Sequence, residues 1–126
     1  KEILSSANPL SPPACILSGG ETTVKVKGKG KGGRCQEFCL SLYPYLKELD
    51  RVLVLCAGTD GTDGPTDAAG AVISALTCRK AEIMGLDFSS FLENNDSYNF
   101  FKKVGGLFIT GPTNTNVMDI RIILVR

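Results

Sequence analysis

The sequence predicts an α/β domain, layered α/β/α, built on a mixed, largely parallel sheet. Three observations carry that expectation. Short apolar runs of strand length alternate with stretches in which apolar residues recur every three or four positions. The runs end in polar, glycine-rich loops, SGGET, AGTDGTDGPTD and TGPTNTN, as strands do at the carboxyl edge of an open α/β sheet. Finally, 126 residues that are 43% hydrophobic and 21% charged suffice for one core without staples.

Taken in order, residues 1–13 read as an extended linker from a missing upstream domain, because SSANPLSPP holds three prolines among small polar residues. ACILS (14–18) is a buried strand closed by Gly19 and Gly20, and TTVKVK (22–27) alternates as a strand with one wet face. From Arg34, the positions Cys35, Phe38, Cys39, Leu42, Leu46 and Leu49 predict an amphipathic helix, which Pro44 kinks or stops. RVLVLCAG (51–58) is the clearest buried strand. AGAVIS fits a strand or a helix start equally well. Thr77 is the expected cap of a helix running to Met84, ended by Gly85; Asp87 caps FSSFLEN; and Asp96 or Ser97 starts SYNFFKKV, closed by Gly105 and Gly106. LFIT (107–110) and VMDIRIILV (117–125) are the last strands.

Composition excludes several classes of function. There is no histidine, so Ser-His and Cys-His nucleophile pairs and imidazole bases are absent from this chain. Chemistry here must use carboxylates, lysine, arginine and backbone amides. The five cysteines, Cys15, Cys35, Cys39, Cys56 and Cys78, are odd in number and lie in apolar runs, which points to free buried thiols in a reducing, cytoplasmic setting. No apolar run reaches the roughly 18 residues a membrane span needs, and the aromatics are not interleaved with basic residues as a nucleic-acid platform requires. Neither a membrane nor a nucleic-acid partner is expected.

Two loops invite chemistry. In KVKGKGKGGRCQEF (25–38), Gly28, Gly30, Gly32 and Gly33 let backbone amides approach a ligand, and a helix starting at Arg34 points its positive end at an anion. Arg34 adds a planar fork for carboxylate or phosphate. The four alternating lysines fit a soluble strand edge better than a site. Neither the Walker spacing nor a dinucleotide fingerprint is present. In GTDGTDGPTD, Asp60 directly follows the buried strand, where a functional carboxylate or a magnesium ligand belongs, whereas Asp63 and Asp67 fit turn and cap chemistry. Glu21 either orients Arg34 or a substrate hydroxyl, or is an exposed turn residue. ENNDS (93–97) and TNTN (113–116) read as turns or caps.

Together SGGETTV, GKGKGGRCQE, AGTDGTDGPTDAAGA, NNDSYNFF and TGPTNTNVMD, in that order, resemble the MOFRL domain, the C-terminal domain of type 2 glycerate kinases. The resemblance runs from about Cys15 to Val125, and the domain is expected over residues 14–126. It implies a two-domain enzyme that transfers the γ-phosphate of ATP to D-glycerate, giving 2-phosphoglycerate, with the active site between the domains and Mg2+ as the expected metal. The family's functional positions fall on Glu21, Arg34, Asp60 and Asn116; Arg34, Asp60 and Glu21 are the expected catalytic residues, and Gly19, Gly20, Gly32, Gly33, Thr115 and Asn116 the expected substrate or phosphate contacts. A phosphate-engaging lysine belongs to the upstream domain, so the isolated domain is expected to be inactive. Cys35 stands where the family usually has asparagine, and Asn114 where it usually has glycine. The family also carries a hydroxypyruvate reductase label, which would require NAD(P)H. A non-catalytic, anion-binding role for the isolated domain is the third reading.

Overall fold

The computed structural model describes all of residues 1–126. Its elements, in chain order, are α1 (Glu2–Ser6), β1 (Ala14–Gly20), α2 (Arg34–Ser41), α3 (Tyr43–Leu46), β2 (Val52–Gly58), β3 (Gly70–Ser74), α4 (Ala75–Ile83), α5 (Phe88–Glu93), α6 (Ser97–Val104), β4 (Leu107–Phe108) and β5 (Asp119–Val125).

The five strands form one sheet in the order β1-β5-β2-β3-β4. Every pairing in it is antiparallel. The expectation of a largely parallel sheet is therefore wrong, for a topological reason. Strands β1 and β2 do run the same way, as helical crossovers between them suggest. The last strand, β5, slots between them in the opposite sense and takes both sets of hydrogen bonds. Helix–strand alternation reports strand direction, and it cannot see a strand inserted later in the chain.

Strand periodicity places Val52, Val54 and Cys56 of β2, Ala71 and Ile73 of β3, and Ile123 of β5 on one face. That face meets the helices. Cys35, Cys39 and Leu40 of α2, Tyr43 and Leu46 of α3, Cys78 and Ala81 of α4, and Phe100, Phe101 and Val104 of α6 join Val54, Cys56, Ala71 and Ile73 in a single core. Phe100 and Phe101 are fully buried and sit edge to face, 5.3 Å between ring centroids. Each removes on the order of 150–250 Å² from water. Tyr43 stacks on Phe88 at 4.5 Å.

Several local expectations hold and several do not. The break at Pro44 is real: α2 ends at Ser41 and α3 restarts with proline in its first turn. Gly105 closes α6 in the left-handed conformation, φ 77°, and Asp87 caps α5 by accepting from Ser89 N–H. Thr77 is not a cap, because α4 begins two residues earlier behind Ser74. AGAVIS is a strand, LFIT contributes only Leu107–Phe108, and β5 starts at Asp119. The proline-rich opening is partly helical, over Glu2–Ser6. ACILSGG is an edge strand with Cys15 and Leu17 exposed. TTVKVK, expected as a strand, belongs to no sheet; the Lys27 N–H and the Lys25 carbonyl meet the Asn95 side chain instead of another strand.

Candidate functional site

Strands β1, β2 and β4 point one way, so the loops that follow them, residues 21–33, 59–69 and 109–118, emerge at one end of the sheet. The registers fix this convergence: Asp119, the first residue of β5, stands opposite Gly20 of β1 on one side and Gly58 of β2 on the other. The three glycine-rich loops expected to gather at strand ends do gather, although the sheet is antiparallel.

Arg34, the first residue of α2, lies at the centre of this end. Its Nε donates to Asp119 Oδ2 at 2.7 Å and its Nη2 to Asp119 Oδ1 at 2.8 Å, a two-pronged grip. Its Nη1 faces Glu21 Oε1 at 3.5 Å. The Asp119 side chain is fully buried, whereas the Arg34 side chain is 34% exposed. Burial pushes the Asp119 carboxyl up, but the hydrogen bonds and charge of Arg34 outweigh it and hold the acid below the usual carboxylate range. The same hydrogen bonds push the Arg34 guanidinium well above its ordinary value. A guanidinium has five N–H donors. Asp119 occupies two, leaving the outer edge, beside Glu21, for an anion.

Asp60 follows two residues after Gly58, at the same end of the sheet. Its Oδ1 accepts from Thr62 N–H at 3.0 Å in a tight turn, and its Oδ2 has no protein donor. The loop bearing Thr115 and Asn116 lies against Thr59 and Asp60: Thr113 N–H donates to the Asp60 carbonyl at 3.2 Å, Val117 N–H to Thr59 Oγ1 at 2.8 Å, and Thr59 N–H to the Met118 carbonyl at 2.9 Å. Asn116 is exposed, with Oδ1 accepting from Met118 N–H. Arg34, Glu21, Asp60, Gly19, Gly20, Thr115 and Asn116 thus share one end of the molecule. Asn114 adopts the left-handed conformation, φ 60°, which asparagine tolerates in place of glycine.

Two expectations for this end fail. The start of α2 is not an open anion site, because the protein fills it itself. Asp63, 1% exposed, accepts from Cys35 N–H at 3.0 Å, from Gln36 N–H at 2.9 Å and from Gln36 Nε2 at 3.0 Å. Burial nevertheless raises the Asp63 carboxyl above its usual range, partly offset by these donors. Nor are the glycines mainly a cradle. A Cβ on Gly32 would overlap the Ser97 hydroxyl, and one on Gly33 would overlap the Asp63 carboxyl, so both glycines serve close packing of the chain on its neighbours. The amides around them are occupied too. Asn95 Oδ1 accepts from Lys27 and Gly28 N–H, Asn94 Oδ1 from Lys29 N–H, and Asp96 Oδ1 from Lys31 N–H, at 2.7–3.2 Å. ENNDS is a clamp for the lysine strap as well as a turn.

Sequence reasoning also missed Asp119. Its signal was present, a lone carboxylate opening the apolar run DIRIILV, but the residue that pays its burial cost is 85 positions away. Gln36, buried and bonded to Asp63 and Thr66, was read only as helix. The Cys35 thiol turns toward Cys56, where that contact and burial push it up, and its amide donates to Asp63. Beside Arg34 opens a cleft of about 440 Å³ lined by Thr22, Lys25, Lys27 and Glu37 among others. Glu37 is 8% exposed, its Oε1 lacks a partner, and burial raises its carboxyl above the usual range.

Residues 14–119 match the MOFRL family over most of the chain. The chain belongs to the MOFRL family. The D-glycerate 2-kinase of Thermotoga maritima is 51% identical over 125 residues, covering 99% of this MOFRL chain and 30% of that protein. A crystal structure of glycerate kinase from the same organism superposes with a TM-score of 0.96 at 50% identity, over 99% of this chain and 30% of that one. An Agrobacterium vitis protein provisionally named a hydroxypyruvate reductase is 45% identical over 93% of this chain and 27% of its own length. The MOFRL chain therefore spans about a third of the length of the curated relatives it matches. No helix in it is long and apolar enough to cross a membrane.

Proposed function

We propose that the chain is the C-terminal domain of an ATP-dependent D-glycerate 2-kinase, converting D-glycerate and ATP to 2-phosphoglycerate and ADP at a site completed by an upstream domain. The observation that carries this reading is the Arg34 fork, gripped by buried Asp119 and with its outer edge held only by Glu21 at 3.5 Å, at the loop end that also bears Asp60. Phosphoryl transfer depends on positioning and charge stabilisation more than on covalent chemistry. A guanidinium fixed before the reaction is suited to that task, since no reorganisation is needed as charge moves.

In this proposal Arg34 neutralises oxygens of the transferring phosphoryl group or the glycerate carboxylate. Asp60 and Glu21 hold the glycerate hydroxyl, and Asp60 Oδ2 is available to accept its proton. Gly19, Gly20, Thr115 and Asn116 line the substrate and phosphate subsites, whereas Gly32 and Gly33, packed against Ser97 and Asp63, contribute at most backbone N–H groups to them. Of the loop aspartates, Asp63 is committed to α2 and Asp67 accepts from the Tyr98 hydroxyl at 2.8 Å, leaving Asp60 as the magnesium candidate. No group of three carboxylates or thiols gathers around a common point. A magnesium ion here would therefore rest on Asp60 and complete its shell with water and phosphate oxygens, as Mg2+ can with one or two carboxylates. When bound, the ion would neutralise phosphate charge.

The relative provisionally named a reductase raises hydride transfer as the competing activity. These residues lend it no support, because the sheet has no parallel βαβ crevice of the kind that seats a dinucleotide. The deciding experiment is a coupled assay on the full-length protein with D-glycerate and Mg-ATP, with the phosphorylated carbon assigned by NMR. The expected product is 2-phosphoglycerate, and Arg34→Ala is expected to lower kcat/KM by roughly a thousandfold. Turnover of hydroxypyruvate with NADH but not of D-glycerate with ATP would replace the reading, and near-normal kinase activity in the variant would remove Arg34 from it.

A further inference from the structure

The helices cover only one face of the sheet. On the other face the registers set out three rows across β1, β5, β2 and β3: Cys15, Leu124, Leu53, Ser74; then Leu17, Ile122, Leu55, Val72; then Gly19, Ile120, Ala57, Gly70. No charged side chain interrupts this grid. Leu17 is 66% exposed, Leu124 45% and Leu53 37%. The apolar surface continues past the sheet edge to Ile109, Val117 and Met118, each more than half exposed, in the loop that carries Asn116. Antiparallel sheets that face water on one side normally alternate apolar and polar residues, whereas continuous apolar strands such as VLVLCAG are buried on both faces. A contiguous apolar area of this kind marks an interface.

We propose that this face is the inner surface of an unfinished sandwich, covered in the full-length protein by an apolar-faced segment of the same polypeptide lying outside residues 1–126. Two observations select that occupant. This chain corresponds to only 30% of the Thermotoga relative, so relatives carry ample sequence for a second covering layer. The open face is also continuous with the loop end where the upstream domain is expected, so one docking event would cover the grid and close the cleft. A tethered segment competes at an effective concentration in the millimolar range, well above that of a second copy free in solution. The layered α/β/α architecture would then be completed by chain from outside these residues.

The test reads protection directly and does not depend on kinase activity. Cys15 lies on the open face and is exposed, whereas the other four cysteines are buried. The full-length protein is treated with a maleimide, and modification of Cys15 is followed by peptide mass spectrometry. The Lys102→Cys variant supplies an exposed benchmark on α6, on the helical side. The expected result is that Cys15 reacts at least tenfold more slowly than the benchmark at every protein concentration, and at a similar rate after denaturation in urea. Equal rates in the native protein would overturn the proposal. Protection that fades on dilution together with a dimer in sedimentation would overturn it in favour of a second copy. Because no substrate is used, this outcome is independent of whether the enzyme phosphorylates glycerate.

Discussion

The lysine strap, residues 22–31, and the Arg34 cluster hold most of the positive charge near the loop end, yet they do different things with it. Lys25, Lys27 and Lys29 are exposed, and none is ion-paired; the strap is held by Asn94, Asn95 and Asp96 through its backbone. Lys31 rests over the Tyr98 ring. Arg34 is one charge, but its direction is fixed by a carboxylate fully removed from water. Local density of charge therefore says little about a site. What distinguishes a site is a charge whose orientation is enforced by buried partners, leaving one defined edge free.

The sharpest way to break this contrast is to remove one member of the pair at a time. Arg34→Ala leaves Asp119 buried and unpaired, and a loss of about 3–5 kcal/mol in unfolding free energy is expected. Asp119→Ala is expected to cost less, about 2–3 kcal/mol, because the partly exposed guanidinium can turn to water. Denaturant unfolding of both variants checks the asymmetry, and equal losses would show that burial of Asp119 is not the dominant cost. A pH series sharpens it further. Asp119 is held below the usual carboxylate range in the fold, so the unfolded chain binds its proton first on acidification. The pair's contribution is then complete above about pH 4 and declines as pH falls through the lower folded value. The stability gap between the wild type and Asp119→Asn should narrow below about pH 4 and stay constant above it.

Asp63 offers the next test, since it links the two aspartate roles in one loop. Asp63→Asn keeps the shape but replaces one accepting oxygen with a donor that faces the N–H groups of α2. A loss of about 1–3 kcal/mol is expected, with the start of α2, and so Arg34, less firmly placed. Amide exchange at Cys35 and Gln36 would report this, and unchanged protection there would show that α2 does not need the cap.

How much of this was legible in the sequence follows from the range of the interactions. The helix at Arg34, its break at Pro44, the strand through RVLVLCAG and the closing glycine at Gly105 depend on neighbours within a few residues, and each could be read directly. Convergence of the glycine-rich loops was legible because it needs only that three strands share a direction. The antiparallel sheet was not, because β5 is inserted between strands more than 60 residues earlier. Asp63 reads as turn or cap chemistry and is a cap, but for a helix that begins 29 residues before it. Asp119 and the Asn94–Asp96 clamp acquire their roles from partners 85 and 65–68 residues distant. Local periodicity contains no trace of such pairs. The alternation in TTVKVK misleads, since residues 22–27 join no strand and the Lys25 carbonyl and Lys27 N–H bond to the Asn95 side chain instead of a ladder.

The smallest expected effect sharpens the comparison from the other side. Replacing Lys25, Lys27 and Lys29 together with glutamine removes three charges while leaving the backbone hydrogen bonds of the strap to Asn94 and Asn95 in place. Surface changes of this sort usually stay within about 0.5 kcal/mol each, so thermal unfolding should move little. If the lysines only keep the strap soluble, kcat/KM of the full-length triple variant should fall by less than about threefold, because a diffuse and exposed charge is screened within about 8 Å at physiological salt. A much larger loss that vanished at high salt would mean that the strap steers an anionic substrate toward Arg34. Fixed and diffuse charge would then serve two stages of one binding path instead of a site and its surroundings.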